Sequence, residues 1–308
     1  MDDTSLPSLS SAMKLQQYHF KPENFYQRQQ TYPTHNIILT MGVLDLLNNN
    51  LRILDLSVPL ENGMPSSGAH PEFHMALVRR HGDKRRPGAG GGTSANDLIV
   101  TGGHVGTHID AIGHVARDGL LHGGVDAMEA MRGGRFNKFG VETIEPMICR
   151  GVLLDIPALK GVEHLEAGYG VTPEDLEQAL GETELRKGDV ALVRTGWLKL
   201  YHDERAFLGE ETGVPGVTGA AEWLVSKGGR AAGTDTTAFD QVVPGPSRLA
   251  RPAHGVLLWQ NAVHIVELLD LEELAAARVK EFLFVLAPLK PVGATGSPIR
   301  PLAIVDGP

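Results

Sequence analysis

The sequence predicts an α/β domain built on a mixed sheet. GVLLDIPAL (151–159) and GDVALVRTGW (188–197) are apolar without alternation, as strands covered on both faces are. Between them TPEDLEQAL (172–180) has a helix-start signature, with Thr172 as cap, Pro173 first in the helix and Asp175 three residues after the cap. Further on, TGAAEWLVSKGG (218–229) fits a helix stopped by glycine. Strand and helix patterns thus interleave, the order that layers helices on a sheet.

The remaining elements follow in chain order. The first 36 residues are polar, rich in Gln and Ser, and lack the apolar stretch and small-residue cleavage pattern of a secretory leader. Residues 1–40 are therefore expected to be a flexible N-terminal extension and 41–308 the folded domain, with Met41 an alternative start. LRILDLSVPL (51–60) reads as a strand that leaves its sheet at Pro59. Residues 61–96 are rich in Gly, Pro and Ser and read as loop, with PGAGGGTSAND (87–97) its most flexible part. DLIVTGGHVGTH (97–108) reads as a second strand running into a glycine- and histidine-rich stretch. RAAGTDTTAFD (230–240) is a short strand with its loop, and 255–289 holds mixed strands and a short helix. The one basic grouping, RRHGDKRR (79–86), reads as a solvated loop, with an anionic-substrate or subunit contact as its alternative.

Composition excludes several classes of function. A formal charge of −9 argues against a general nucleic-acid surface, which needs a clustered basic face. No run approaches the roughly 18 apolar residues of a spanning helix, so no membrane partner is expected. Cys149 is the sole cysteine, which rules out an intrachain disulfide and any thiolate-rich metal site. It reads as a structural core residue in a cytoplasmic protein. A metal here must be held by histidines and carboxylates.

Those groups are concentrated in GGHVGTHIDAIGHVARDG (102–119), which holds His104, His108, Asp110 and His114. On an ideal strand His104, His108 and Asp110 share a face, but four residues span about 13 Å, too far for both imidazoles to reach one ion. Gly102, Gly103 and Gly106 allow a bend that brings them together, and a helical turn after Asp110 would put His114 on its face. Two neutral imidazoles and a carboxylate are a common donor set for a catalytic divalent ion. Such an ion lowers the pKa of its water towards about 7, and His114 is then placed as general acid/base. A satisfied polar loop and a metal-free acid/base site are the competing readings. No G-x-S-x-G elbow, Walker A motif or strand-borne G-x-G-x-x-G is present, which argues against serine hydrolases and nucleotide binders.

HVGTHIDAIGH (104–114) resembles the H-x-G-T-H-x-D-x-x-x-H signature of the cyclase-like metal-dependent hydrolases, the family of bacterial kynurenine formamidase, isatin hydrolase and certain lactam- and lactone-cleaving enzymes. ILDLSVPLENGMP (53–65), VARDGLLHGG (115–124), VRTGWL (193–198), GTDTTAFD (233–240) and HGVLLWQNAVHIVELLDLEEL (254–274) are similar to family blocks in family order. The resemblance implies a swivelling β/β/α domain that assembles as a homodimer or homotetramer. It implies that His104, His108 and Asp110 hold a first ion, and that Asp110 bridges to a second completed by His254 and Glu267. The metal would be Zn2+ or Mn2+, as one or two ions, with His114 the proton carrier. From the residues alone, His254 and Glu267 read as a strand-edge histidine and a helix-start glutamate, and His264 as a residue of a neighbouring face or of the pocket wall.

Two departures from the family pattern bear on substrate. Ile112 stands where the family commonly has proline, which touches the turn but no ligand. Pro65 is followed by Ser66 and Ser67, so the tryptophan that packs on substrate in kynurenine formamidase is missing. The expected activity is hydrolysis of an amide, lactam, lactone or small ester, with N-formylkynurenine disfavoured. Trp197, Phe239 and Phe73 are candidate pocket walls. A lyase or cyclisation catalyst using the same site, and a non-catalytic binding protein, are the rival readings.

Overall fold

The computed structural model describes residues 50–83, 92–242 and 251–307. The proposed extension, 1–40, and parts of the basic grouping and the glycine-rich loop lie outside the described residues. The strands run β1 (Leu51–Asp55), β2 (His74–Arg79), β3 (Asn96–Val100), β4 (His108–Asp110), β5 (Leu120–Leu121), β6 (Val125–Asp126), β7 (Met131–Arg132) and β8 (Arg135–Phe136). They continue as β9 (Met147–Asp155), β10 (Val190–Arg194), β11 (Ala231–Thr234), β12 (His264–Glu267), β13 (Glu281–Leu286), β14 (Gly296–Pro298) and β15 (Leu302–Asp306). Nine of them form one mixed sheet in the order β1-β15-β13-β9-β10-β11-β12-β4-β14. β9 to β12 are parallel to one another, and antiparallel strands extend the sheet on both sides.

The continuous apolar runs are explained by two cores, one on each face of this sheet. Val152, Leu154, Ala191, Val193, Ala232 and Ile265 point into one core, while Leu153, Val190, Leu192, Ala231 and Val266 point into the other. Alternate residues are thus apolar for different neighbours, as in any strand buried on both faces.

The helices behave as their caps predict. After α1 (Ala127–Ala130) and α2 (Ile156–Lys160), α3 (Pro173–Leu180) starts with a full capping box: Thr172 Oγ1 accepts from Asp175 N, and Asp175 Oδ2 from Thr172 N. Following α4 (Glu204–Phe207), α5 (Ala220–Ser226) ends before Gly228, whose φ of +77° suits glycine. α6 (Pro252–His254) passes directly into a π-helix, Gly255–Gln260, before β12; α7 (Glu272–Ala276) follows.

Five expectations need correction. Residues 61–96 are not all loop, because β2 lies within them; its side chains are mostly exposed and gave no buried pattern. The strand at 97–108 does not run on into the histidines. β3 stops at Val100 and pairs with β2 in a separate ribbon, and the chain joins the main sheet only at His108. Glu267 ends a strand instead of starting a helix, and His254 closes a helical turn instead of lying at a strand edge. Cys149 is half-buried on β9, beside the second core rather than within it.

Candidate metal and acid–base site

The site lies where β12 ends and β4 begins, beside the carboxyl end of β11, where parallel strands of an α/β sheet open towards ligands. Glu267 and His108 face each other across the β12–β4 pairing. Thr107, between them and Gly106, is 2% exposed; its hydroxyl donates to Leu268 O at 2.5 Å and accepts from Val58 N at 2.9 Å. That pair of bonds ties the start of β4 to β12 and to the chain after β1.

The glycines before His108 act in different ways. Gly106 has φ +66°, a turn other residues adopt only under strain, and a Cβ there would meet Leu60 Cδ2 at 2.3 Å. Gly103 allows close approach instead, since its Cβ would meet Gly296 O at 2.6 Å. Gly102 has no positive φ. Gly106→Ala adds left-handed strain of about 1–2 kcal/mol, while the terminal methyl of Leu60, a side chain 40% exposed, can swing aside. A fall of several degrees in melting temperature is expected by calorimetry; an unchanged melt would refute this account of the turn.

Every sequence-predicted donor converges on one cleft. His104 Nδ1 is 2.7 Å from Asp110 Oδ1, and His108 Nε2 is 3.1 Å from Glu267 Oε2 and 3.6 Å from Asp110 Oδ1. His254 Nε2 is 3.4 Å from both Asp110 Oδ2 and Glu267 Oε1. The 3-10 turn Ile112–His114 brings the His114 ring to 4.1 Å from His104 and 5.9 Å from His254, centroid to centroid. Two ligand-like groups share Asp110: His104 and His114 in one, His108 and Glu267 in the other. His114 therefore stands among the donors, a position from which it can bind an ion or move a proton.

The fit to a cation shows in what these groups lack. Five buried side-chain polar atoms among the described residues make no aligned hydrogen bond, and three are His108 Nε2 and both oxygens of Asp110, whose close neighbours are the charged groups of the same cluster. Leaving a buried donor or acceptor unpaired costs about 1–3 kcal/mol, more for a charge. Three together around one point are explained by a cation that satisfies them all.

Outer partners aim the ligands. His108 Nδ1 bonds Gly106 O at 2.8 Å, and His104 Nε2 bonds Thr295 Oγ1 at 2.9 Å. Phe239 N donates to Glu267 Oε1 at 2.6 Å, and His254 Nδ1 pairs with Asp240 Oδ2, which also accepts from His254 N. Asp240 is 0% exposed and holds the imidazole with its other nitrogen turned to the cleft. Asp240→Asn is expected to lower divalent-metal affinity about 10–100-fold, measured by competition with a chelating dye. Unchanged affinity would remove Asp240 from the site.

The charges of the cluster sustain one another. Burial pushes Asp110 up, but His114, His104 and His254 outweigh it and hold its pKa well below the usual value. Burial opposes charging His254 and His108, yet the surrounding carboxylates raise both. His114 goes the other way. Burial lowers its pKa to about 4, with Asp110 pulling up and His104 and His254 pushing down, so it is a neutral imidazole at pH 7.

The cleft above these groups has a volume of about 480 Å³, with one wall formed by Pro65 to His70. His70 stacks on His104 at 5.2 Å, on the wall where no tryptophan stands. Trp197, Phe239 and Phe73 do not line the cleft; each is at most 5% exposed and packs in a core. Trp197 donates to Phe207 O, and Phe239 serves the site through its backbone N–H alone. His264 bonds the carbonyl of Asp110 and His122 that of Trp259, and neither lines the cleft.

Sequence reasoning missed Glu211, a cleft residue 4% exposed, whose carboxylate accepts from Thr237 N at 2.9 Å and from the Thr237 hydroxyl. Its only sequence signal is an acidic residue in a polar loop. Burial raises its pKa to about 7, with Thr237 opposing and Glu267 adding. The folded state thus keeps a proton that the unfolded chain releases near 4.5, so metal-free stability falls as pH rises from about 4.5 to 7 and stays low above. Glu211→Gln, neutral throughout, should gain about 2–3 kcal/mol relative to the parent between pH 5 and pH 8. Melts in chelator at both pH values check this; parallel curves would contradict it.

The comparisons with known proteins point to one group. The profile of the Cyclase family matches residues 54–241. The isatin hydrolase of Roseibium aggregatum is 38% identical over 126 residues, covering 40% of this chain and 47% of that protein, so the match spans about half of this curated relative. A solved structure of a novel cyclase superposes with a TM-score of 0.74 at 29% identity, over 82% of this chain and 88% of the other. An isatin hydrolase bound to the product analogue thioisatinate gives a TM-score of 0.65 at 23% identity, over 86% and 96%. This last likeness is one of fold.

Proposed function

From the premise that the chain belongs to the Cyclase family, we propose that it is a divalent-metal-dependent hydrolase of an amide, lactam, lactone or small ester. The observation that carries this reading is the set of three buried atoms on His108 and Asp110 that make no aligned hydrogen bond, at the floor of a cleft that also holds a neutral imidazole. His104, His108, Asp110, His254 and Glu267 would hold one or two ions, and the donor set suits Zn2+ and Mn2+ alike. A divalent ion there would polarise the scissile carbonyl and supply the nucleophile from water.

The chain's own residues do the rest. Glu267 and His254 are kept in place by Phe239 N–H and Asp240. His114 takes the proton released from water and returns it to the leaving nitrogen or oxygen as the carbon–heteroatom bond breaks. The oxygen of water thus ends on the carbonyl carbon. The small, polar wall at Ser66 and Ser67 disfavours N-formylkynurenine, while the likeness to an isatin hydrolase makes isatin, a cyclic amide, a leading candidate.

Screening metal-loaded protein against isatin, formylanilides, lactams and lactones in ¹⁸O-water tests the proposal. Hydrolysis places one solvent oxygen in the product. Turnover without label would assign a lyase or cyclisation catalyst instead, and no turnover with bound metal a binding protein.

A further inference from the structure

Glu211 is a buried carboxyl of the cleft that the hydrolytic steps leave unused. It is 4% exposed and lines the cleft. Three groups bond it: Thr237 N at 2.9 Å, the Thr237 hydroxyl and the backbone N–H of Ala238. Its mount is rigid as well. Val242 N donates to Glu211 O at 2.9 Å, Val214 N to Phe239 O at 3.0 Å, and a Cβ on Gly213 would meet Gln241 N at 2.6 Å. All three groups on the carboxyl are donors, so the position is built for an acceptor. A carboxylate has about four acceptor sites; the protein fills three and leaves one for what enters the cleft. Arg251 is the other charged side chain outside the ligand set among the described cleft residues, and a guanidinium only donates.

We infer that Glu211 determines specificity: its remaining acceptor site takes the N–H of the scissile amide or lactam and so selects these substrates over lactones and esters. This role rests on the hydrolase reading and narrows its substrate class. The loop sets the reach. Thr237 N holds Glu211 and Phe239 N holds Glu267, and two residues of backbone span at most about 7 Å. A small cyclic amide has a comparable length, so one that sets its carbonyl against the ligands can turn its N–H to Glu211. As the C–N bond breaks, His114 supplies the second hydrogen of the leaving amine, while the first stays hydrogen-bonded to Glu211. An ester or lactone puts a lone pair where the N–H would be, which leaves the buried carboxylate unpaired. A site built to bond a substrate N–H rejects the analogue that lacks it for this reason.

Isatin and N-methylisatin share the scissile bond and differ in that N–H, which the second replaces by a methyl. Metal-loaded full-length protein at pH 8, above the metal-free pKa of about 7 for Glu211, should prefer isatin in kcat/KM by about 10–100-fold. Glu211→Met keeps the side chain's length and removes the acceptor, so the ratio of the two values should fall to about one. Damage to the fold or to metal binding slows both substrates and leaves the ratio as it was. Should that variant not fold, Glu211→Gln, neutral and of the same shape, should lower the ratio about 5–10-fold. Equal kcat/KM in the parent, or a ratio that the substitution leaves unchanged, would overturn the role of Glu211. Hydrolysis of lactones with none of isatin would overturn it too and leave the hydrolase reading standing. No hydrolysis of amide, lactam, lactone or ester would overturn that reading, and this role with it.

Discussion

Replacing His114 by alanine is expected to leave metal binding intact and to lower kcat by about 10²–10⁴, the usual worth of a positioned general acid/base. The expectation rests on three features. The ring lines the cleft, it packs 4.1 Å from His104, and burial keeps it neutral with a pKa of about 4. A neutral imidazole at pH 7 accepts a proton and then returns it, whereas an imidazolium would have nothing to accept. The geometry also offers a rival role, because His114 falls within ligand distance of His104 and Asp110. Metal content separates the two. A variant that loses kcat and keeps its metal has lost a proton carrier; one that loses both has lost a ligand. Unchanged kcat would remove His114 from the chemistry altogether.

Asp110→Asn is expected to be more severe. Asp110 belongs to both candidate ligand groups, it is 0% exposed, and neither of its oxygens makes an aligned hydrogen bond. The amide keeps the volume and removes the charge around which His104, His108 and His254 are arranged. Metal content should fall to near zero and kcat/KM by about 10³ or more, since Lewis-acid assistance contributes several kcal/mol. Stability gives an independent readout. At a hundred-fold excess over Kd a ligand stabilises by about 2.7 kcal/mol, so metal should raise the parent's melting temperature and leave that of the variant unmoved. A metal-dependent shift in the variant would show that the ion is held elsewhere.

How much of this was legible in the sequence depends on how local each signal is. The capping box of α3 and the doubly apolar strands β9 and β10 involve neighbours, and their positions followed from residue type. The turn at Gly106 and the convergence of His104, His108 and Asp110 were legible for the same reason. His254 and Glu267 were not, because they come from a helical turn and a strand about 140 residues away, and only the family resemblance brought them in. The apolar run 255–260 forms a π-helix, which has no sequence period of its own. β2 was missed because a strand outside the core shows no buried face. Trp197, Phe239 and Phe73 were misplaced because large aromatic side chains gain more by filling a core than by lining a wet cleft. Glu211, Asp240 and Thr295 matter only through what folding places beside them.

The central claim is that His104, His108, Asp110, His254 and Glu267 hold a divalent ion on which turnover depends. Titrating metal back into chelator-stripped protein, with bound ion and hydrolysis followed on the same samples, tests it most directly. Activity should be absent at the start, rise in proportion to bound Zn2+ or Mn2+, and saturate at one or two ions per chain. Full hydrolysis by protein with no bound metal, or stoichiometric binding that Asp110→Asn leaves unchanged, would contradict it.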